Sequence, residues 1–433
     1  MDARLVLGAA AVTLVAMIGF LFSPRVPRGQ EDLNCVSVTD IGPMHIHKNC
    51  DSEEFEYVAA DPGLLLAQRR YRQSRPLYAV LGWTFARPFH WLGLQSVGRP
   101  IIANAKQSYP KGPAPAEYLP EYAGFVTLNF ALLVTAVMLF LKLSGAQGLF
   151  DPLTLLPLAM IVVNEVTKAA FWTPHLQIFN VLVPIASVAL YHRMLDRRRE
   201  LTWLQILSLG FAIGLGSLIY GAFAVMAAGA ALCALVGGGN TTRTASLFSR
   251  WMKSGLLIVA FFVPTVAWIT FVKYKTGSFY SLEIDLNRDF VWIVDVLRRR
   301  GLVGFLWMFL IQTELYGESI RSVFPFPVAA LGILTGLLMW EGRVRETVSA
   351  NRMLIESMVL YAAPCFLFYW LLGFYHSRLT WSLVPPMALL IAIETRSLER
   401  VVTNRGKFRL RAASLVVTVF YLAFWYVRPG PWS

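Results

Sequence analysis

LVLGAAAVTLVAMIGFLF, residues 5–22, settles the class of this chain. It is an uncharged run that, at about 1.5 Å per residue, reaches roughly 27 Å as a helix, close to the hydrocarbon thickness of a bilayer. Arg4 precedes it and Ser23-Pro24-Arg25 follows without a small-x-small cleavage motif, so a retained first span is expected rather than a removed leader. The rest of the chain agrees, with 56% hydrophobic and only 15% charged residues, outside the range of soluble globular chains. The formal charge of +13 does not require nucleic acid, because basic residues of membrane proteins collect on the cytoplasmic side.

Further apolar runs lie at 124–141, 149–166, 176–190, 203–218, 222–236, 256–272, 323–340, 353–372, 379–392 and 413–426. The expectation is an all-α polytopic membrane protein of about eleven transmembrane helices. With the amino terminus cytoplasmic, the inside loops carry Arg193, Arg197, Arg198 and Arg199, then Arg243, Arg250 and Lys253, then Arg343, Arg345 and Arg352. The last one carries Arg396, Arg400, Arg405, Lys407, Arg409 and Arg411. The charge bias is thus self-consistent along the chain. The apolar stretch 301–315 would invert it if it spanned, so it is read as re-entrant or interfacial. Two large outside loops follow, 24–122 after span one and 273–322 after span seven. Three regions result: a seven-span module over 1–272 including the first loop, the second loop, and a carboxyl-terminal transmembrane module over 323–433.

The first outside loop holds HIHKNCDSEEFEY, residues 45–57, with two histidines and four carboxylates. Asp51 can cap a helix starting at Ser52, and Asp61-Pro62 and Ser74-Arg75-Pro76 mark two more starts. The stretch after Pro76, with Trp83, Arg87, His90 and Trp91, has the makeup of a helix lying on a membrane surface. Residues 110–120 read as an extended lead-in to the second span. Nearby Cys35 and Cys50 can close a short loop in an oxidising compartment, contributing roughly 3 kcal/mol.

No phosphate loop, GxSxG elbow or HExxH helix is present, so chemistry rests on carboxylates, histidines and cations of the outside loops. Asp51 is the first candidate for a general base, with Asp40 and Glu53 behind it. Asp51 with Glu54 also makes a capping-box-like pair that requires no chemistry. His45 and His47 share a face of an extended segment and, with Asp51 or Glu53, offer ligands to a divalent metal; otherwise no cofactor is expected. Glu165, Lys168 and His175 at the outer end of the third span, and Glu54, are candidate substrate contacts, with a Glu165–Lys168 ion pair the alternative. Arg288, Arg298 and Arg321 in the second loop suit a lipid phosphate or anionic headgroups. Tyr375, His376 and Arg378, in the very short turn GFYHSRLTWSLVPP (residues 373–386), suit an anion or interfacial anchoring.

This architecture resembles the GT-C superfamily of integral-membrane, polyprenyl-phosphate-dependent glycosyltransferases. The resemblance covers the topology of the whole chain; DSEEFEYVAADP (51–62) resembles the family's acidic segment and YHSRLTWSLVPP (375–386) its late His/Arg turn. Asp51 and Glu53 depart from the adjacent Asp-Glu pair of many members, being separated by Ser52. The resemblance implies an inverting glycosyltransferase in the bacterial inner membrane, its site facing the periplasm. It would move a hexosyl or pentosyl group from a polyprenyl monophosphate to a hydroxyl of a lipid or polysaccharide acceptor. Asp51 would take the acceptor proton, and His376, Arg378, Tyr375 and arginines of the second loop would hold the phosphate. Two other readings stay open: an O-antigen ligase or polymerase with a diphosphate-linked donor, and a lipid or glycan transporter.

Overall fold

The computed structural model describes residues 3–25, 36–49, 52–68, 71–94, 96, 106–107, 118–146, 148–196, 201–236, 247–281, 284–285 and 288–428. Its contacts divide the chain into two compact units, Met1–Leu182 with Val402–Ser433, and Val183–Val401.

In the first unit, α1 (Ala3–Leu21) is followed by a hairpin of β1 (Val36–Ile41) and β2 (Met44–Asn49). Three helices come next: α2 (Ser52–Ala60), α3 (Pro76–Trp91) and α4 (Leu119–Ser144). Asp61 caps a short 3₁₀ turn, Pro62–Leu66, through its side chain, and Pro76 opens α3, so these expected starts are used. A minor strand, β3 (Lys106–Gln107), pairs with the other edge of β1 in a sheet of order β2-β1-β3. The hairpin is the departure from the all-helical expectation. VSVTDI and MHIHKN alternate in strand fashion around Gly42-Pro43, and Gly42 supplies the positive φ (+58°) that so tight a reversal needs.

α3 does more than lie on a surface, because Tyr78, Ala79, Gly82 and Ala86 are buried against α4. A Cβ at Gly124 would stand 2.7 Å from the Ala86 backbone nitrogen, so only glycine permits this approach. Phe55 of α2 meets Tyr78 edge-on at 4.8 Å, and Tyr78 meets Phe125 at 4.8 Å, which fixes the acidic helix to both.

The expected third span, 149–166, is not one helix. α5 (Pro152–Val162) ends and α6 (Glu165–Ala170) begins at a fully buried Asn164. Its Nδ2 donates to Met160 O and Ile161 O, while its Oδ1 accepts from Thr167 N and Thr167 Oγ1 accepts from Asn164 N. One amide therefore ends a helix and caps the next. The final helix, α17 (Asn404–Val427), packs on α5, with Ser414 Oγ donating to Pro152 O.

The second unit contains most of α7 (Phe179–Asp196), then α8 (Trp203–Ser217), α9 (Phe223–Val236) and α10 (Leu247–Thr276). It continues with α11 (Val291–Val323), α12 (Pro325–Trp340), α13 (Val344–Ala350), α14 (Arg352–Leu372), α15 (Ser377–Thr380) and α16 (Val384–Val401). Gly210 and Gly214, one turn apart on α8, meet the backbone of α10: added Cβ atoms would lie 2.4 Å from Leu257 O and 2.3 Å from Phe261 O. This is the small-residue seam by which helices associate closely in lipid.

The expected apolar runs are helical, but 149–166 and 379–392 are each divided between more than one helical segment. Among the described residues five helices are individually long and apolar enough to cross a bilayer: α4, α7 with its leading turn, α10, α14 and α17. α11 and α12 meet the criterion together but are bent by 69°, and α1, α5, α8 and α9 are apolar but shorter. Stretch 301–315 belongs to α11. It has no proline or other strong breaker after Gly301, so the helix runs on to Val323. The kink lies at Gly301 itself, where φ is +64°.

Candidate functional site

In the first unit, the hairpin presents one face carrying Val38, Asp40, His45 and His47, since Asp40 pairs with His45 and Val38 with His47. Asp40 is fully engaged: Arg25 Nη1 lies 2.6 Å from one oxygen and His45 Nδ1 2.8 Å from the other. Held this way, it is poorly placed to accept a substrate proton. Burial, followed by the charge of His45 and then Lys168, lowers the pKa of His47 to about 4, so that ring is neutral at pH 7.

Asp51, Cys35 and Cys50 lie outside the described residues. The chain on either side of Asp51 is held by one side chain. Thr173 Oγ1 accepts from Asn49 N at 3.1 Å and shares a short hydrogen bond with Ser52 Oγ. Thr173 is fixed in turn by Asn129, whose Nδ2 reaches the carbonyls of Ala170, Phe171 and Thr173 at 3.0–3.1 Å.

The acids of α2 have separate fates. Glu54 pairs with Arg72, whose guanidinium lies 4.1 Å from the Phe55 ring centroid. Glu56 is 3% exposed and 2.6 Å from Lys48 Nζ. Burial pushes its pKa up to about 7 against the pull of Lys48, with Glu53 and Glu121 adding smaller upward pushes. Glu53, in the first turn and half-buried, makes no ion pair among the described residues. Sequence reading passed over Glu56, although Ser52, Phe55, Glu56 and Ala59 fall on one helical stripe, and that is the buried face.

The Glu56 shift has a measurable consequence. Its folded pKa stands above that of a free carboxyl, so the folded state holds an extra proton between about pH 4.5 and 7. Stability contributed by the neutral form is therefore lost as pH rises through that window. Glu56→Gln is expected to flatten that decline, read as the unfolding midpoint in detergent between pH 5 and 8; an unchanged slope would assign the decline to other groups.

Lys168 lies beside this cluster but is directed to structure. Its ammonium donates to Trp425 O at 2.8 Å and Arg428 O at 2.6 Å, in the last turn and at the cap of α17, where helix carbonyls lack intrahelical partners. Burial lowers its pKa to about 8. Lys168→Met is expected to cost about 1–3 kcal/mol of stability, read by chemical or thermal unfolding, and to leave ligand affinities unchanged. An affinity loss with unchanged stability would instead support a substrate role. Glu165 occupies the first turn of α6, where a negative charge complements the helix dipole, and His175 is in extended conformation before the 3₁₀ turn Leu176–Ile178.

Among the described residues no group of three or more His, Cys, Asp or Glu side chains has metal-holding geometry. His45 is spent on Asp40 beside the cation of Arg25. Asp51, which the sequence offers as a further ligand, lies outside the described residues.

In the second unit Tyr375, His376 and Arg378 come together in one turn between α14 and α16. α14 ends at Gly373, whose φ of +81° admits glycine most readily. Trp292 at the start of α11 closes the helix end by donating Nε1–H to Leu371 O at 3.0 Å. His376 caps α15, its Nδ1 accepting from Arg378 N at 3.4 Å. Burial first, and Arg378 second, lower the pKa of His376 to about 4. The ring is therefore neutral, with its proton on Nε2, and it sits beside a permanent guanidinium charge: two donors suited to an anion. Tyr375 donates to Trp370 O at 2.6 Å, which fixes the turn.

The other arginines do not converge. Arg288 is bound to Asp295. Arg298 and Arg321 are exposed and lie on opposite sides of the Gly301 kink, with Arg321 in the last turn of α11. The residues between Gly301 and Arg321 alone extend for about 30 Å of helix.

No family model matches the chain, and no curated protein matches it. Among solved structures it is similar to the crystal structure of ArnT from Cupriavidus metallidurans bound to undecaprenyl phosphate, with a TM-score of 0.49 and 14% identity. The match covers 98% of this chain and 65% of that one, so the chain spans slightly less than two thirds of the length of the structure it matches.

Proposed function

We propose that the chain is a membrane glycosyltransferase that moves a sugar from a polyprenyl monophosphate to a hydroxyl of a lipid or glycan acceptor. The reaction inverts the anomeric centre and takes place at the periplasmic face of a bacterial inner membrane. The observation that carries the reading is the turn at Tyr375–Arg378. A neutral imidazole N–H donor and a guanidinium stand together where the apolar helix α14 ends, the place a lipid-linked phosphate would occupy.

In this reaction the acceptor oxygen attacks the anomeric carbon as the bond from that carbon to the phosphate oxygen breaks. The bonding pair leaves on the polyprenyl phosphate. A carboxylate of residues 51–53, Asp51 by preference and Glu53 as the alternative, takes the acceptor proton. The departing phosphate is already anionic, so it needs fixed donors more than an acid, and Arg378 and His376 supply them.

The test uses the full chain in nanodiscs with one sugar offered on polyprenyl monophosphate and on polyprenyl diphosphate. Transfer from the monophosphate alone is expected. Transfer from the diphosphate alone would favour a ligase, and lipid movement without a new glycosidic bond would sink the enzyme reading.

A further inference from the structure

α11 carries a polar stripe that the reaction above leaves unused. Much of the helix is exposed and apolar, with Leu302, Val303, Leu306, Trp307 and Leu310 on its outside. Gln312, Tyr316 and Ser319, at spacings of four and three, are its inward face and are 8%, 2% and 8% exposed. Ser319 is satisfied by Thr380 Oγ1 at 2.7 Å, which pins α11 to α15. The Tyr316 ring stacks on Tyr375 at 5.2 Å with a 27° tilt and meets Phe366 at 5.1 Å. The stripe therefore abuts the turn that holds His376 and Arg378.

Gln312 Oε1 and the Tyr316 hydroxyl are both buried, and neither has a hydrogen-bond partner among the described residues. An orphaned polar atom is costly anywhere and more so on a helix set among apolar helices, where polar groups facing inward tend to mark a substrate path. Two such atoms one turn apart, beside an anion-binding turn, are hard to explain by packing alone. Phenylalanine at 316 would keep the stacking and remove the cost.

The chemistry of the pair limits what they recognise. A prenyl tail offers no hydrogen bond. A phosphate would be repelled by the Gln312 carbonyl oxygen, and the donors that suit it are His376 and Arg378. An acceptor oxygen next to a phenol that both gives and takes a proton suits a hydroxyl group, and the Tyr316–Tyr375 stack adds a flat apolar wall of the kind that lines small-molecule sites. We infer that Gln312 and Tyr316 form a hydroxyl-recognition subsite for the sugar ring of the lipid-linked donor, next to the phosphate-binding turn. The inference rests on the glycosyltransferase reading above.

The experiment measures binding of bare polyprenyl phosphate, and of the same lipid carrying a hexose or a pentose, to the full chain in nanodiscs. Wild type is expected to bind one sugar-bearing lipid more tightly than the bare one. Tyr316→Phe and Gln312→Met should each lose about tenfold of that preference while binding bare lipid unchanged, because a site built to bond a hydroxyl is left unpaired. Arg378→Gln should weaken both lipids alike. An unchanged preference in both variants, or an equal loss for both lipids, would overturn the subsite and make the stripe structural. A wild-type chain that binds neither lipid would instead sink the glycosyltransferase reading, and the subsite with it. Unfolding midpoints taken alongside separate misfolding from lost recognition.

Discussion

Asp51→Asn slows sugar transfer by about 10²–10⁴-fold with little change in donor KM, while Glu53→Gln costs no more than about tenfold. These are the expected results, and the choice of amide makes them discriminating. Asparagine caps a helix about as well as aspartate, so the substitution keeps whatever Asp51 does for the start of α2 and removes only its basicity. If Asp51 serves as a cap alone, the variant works normally. The neighbouring acids are already committed: Asp40 to Arg25 and His45, Glu54 to Arg72, Glu56 to burial and Lys48. Glu53 makes no ion pair among the described residues, and Asp51 lies outside them. Asp51 is preferred because the residues flanking it in the chain, Asn49 and Ser52, are both held by Thr173, the kind of support a positioned base needs. Initial rates with saturating donor, together with circular dichroism of the purified variants, decide the matter. A slow Glu53→Gln with a normal Asp51→Asn would move the base by two residues, and two normal variants would remove α2 from the mechanism.

Arg378→Gln is expected to lower kcat/KM by about 10²–10³-fold, the scale on which removing one donor to a developing anion is felt. Arg378→Lys should recover part of the loss, because the charge returns without the fork that meets two phosphate oxygens. His376→Ala should cost less, since a neutral donor is lost and no charge is. If Arg378→Gln leaves kcat/KM intact, the turn is an interfacial anchor, and the proposed function loses the observation that carries it.

Much of the candidate site was legible because its residue types are improbable in so apolar a chain. The acids of 51–56 and the His/Arg turn stand out against it, and α2, α3 and the 3₁₀ turn after Asp61 begin where Ser52, Pro76 and Pro62 indicate. The hairpin escaped notice because two six-residue strands give a weak signal beside eleven long apolar runs. The break at Asn164 escaped because a run can stay apolar while its helix stops; hydropathy registers composition, not where an amide chooses to bond. Glu56 looked like one acid among four until its face of the helix was seen to be buried.

By itself, then, the order of residues determined that this chain lives in a membrane, roughly which segments are apolar helices, and which turns between them hold unusual charge. Those are one-dimensional properties, set by transfer free energy and local capping. Only the tertiary structure decided which of the charged groups are already paired. Arg25 reaches Asp40 across 15 residues, and Lys168 reaches the end of α17 across 257 and 260. Tyr316 meets Tyr375 from a different helix. Whether a carboxylate or an ammonium is free for chemistry depends on the nearest opposite charge and the depth of burial, and both are properties of the folded chain.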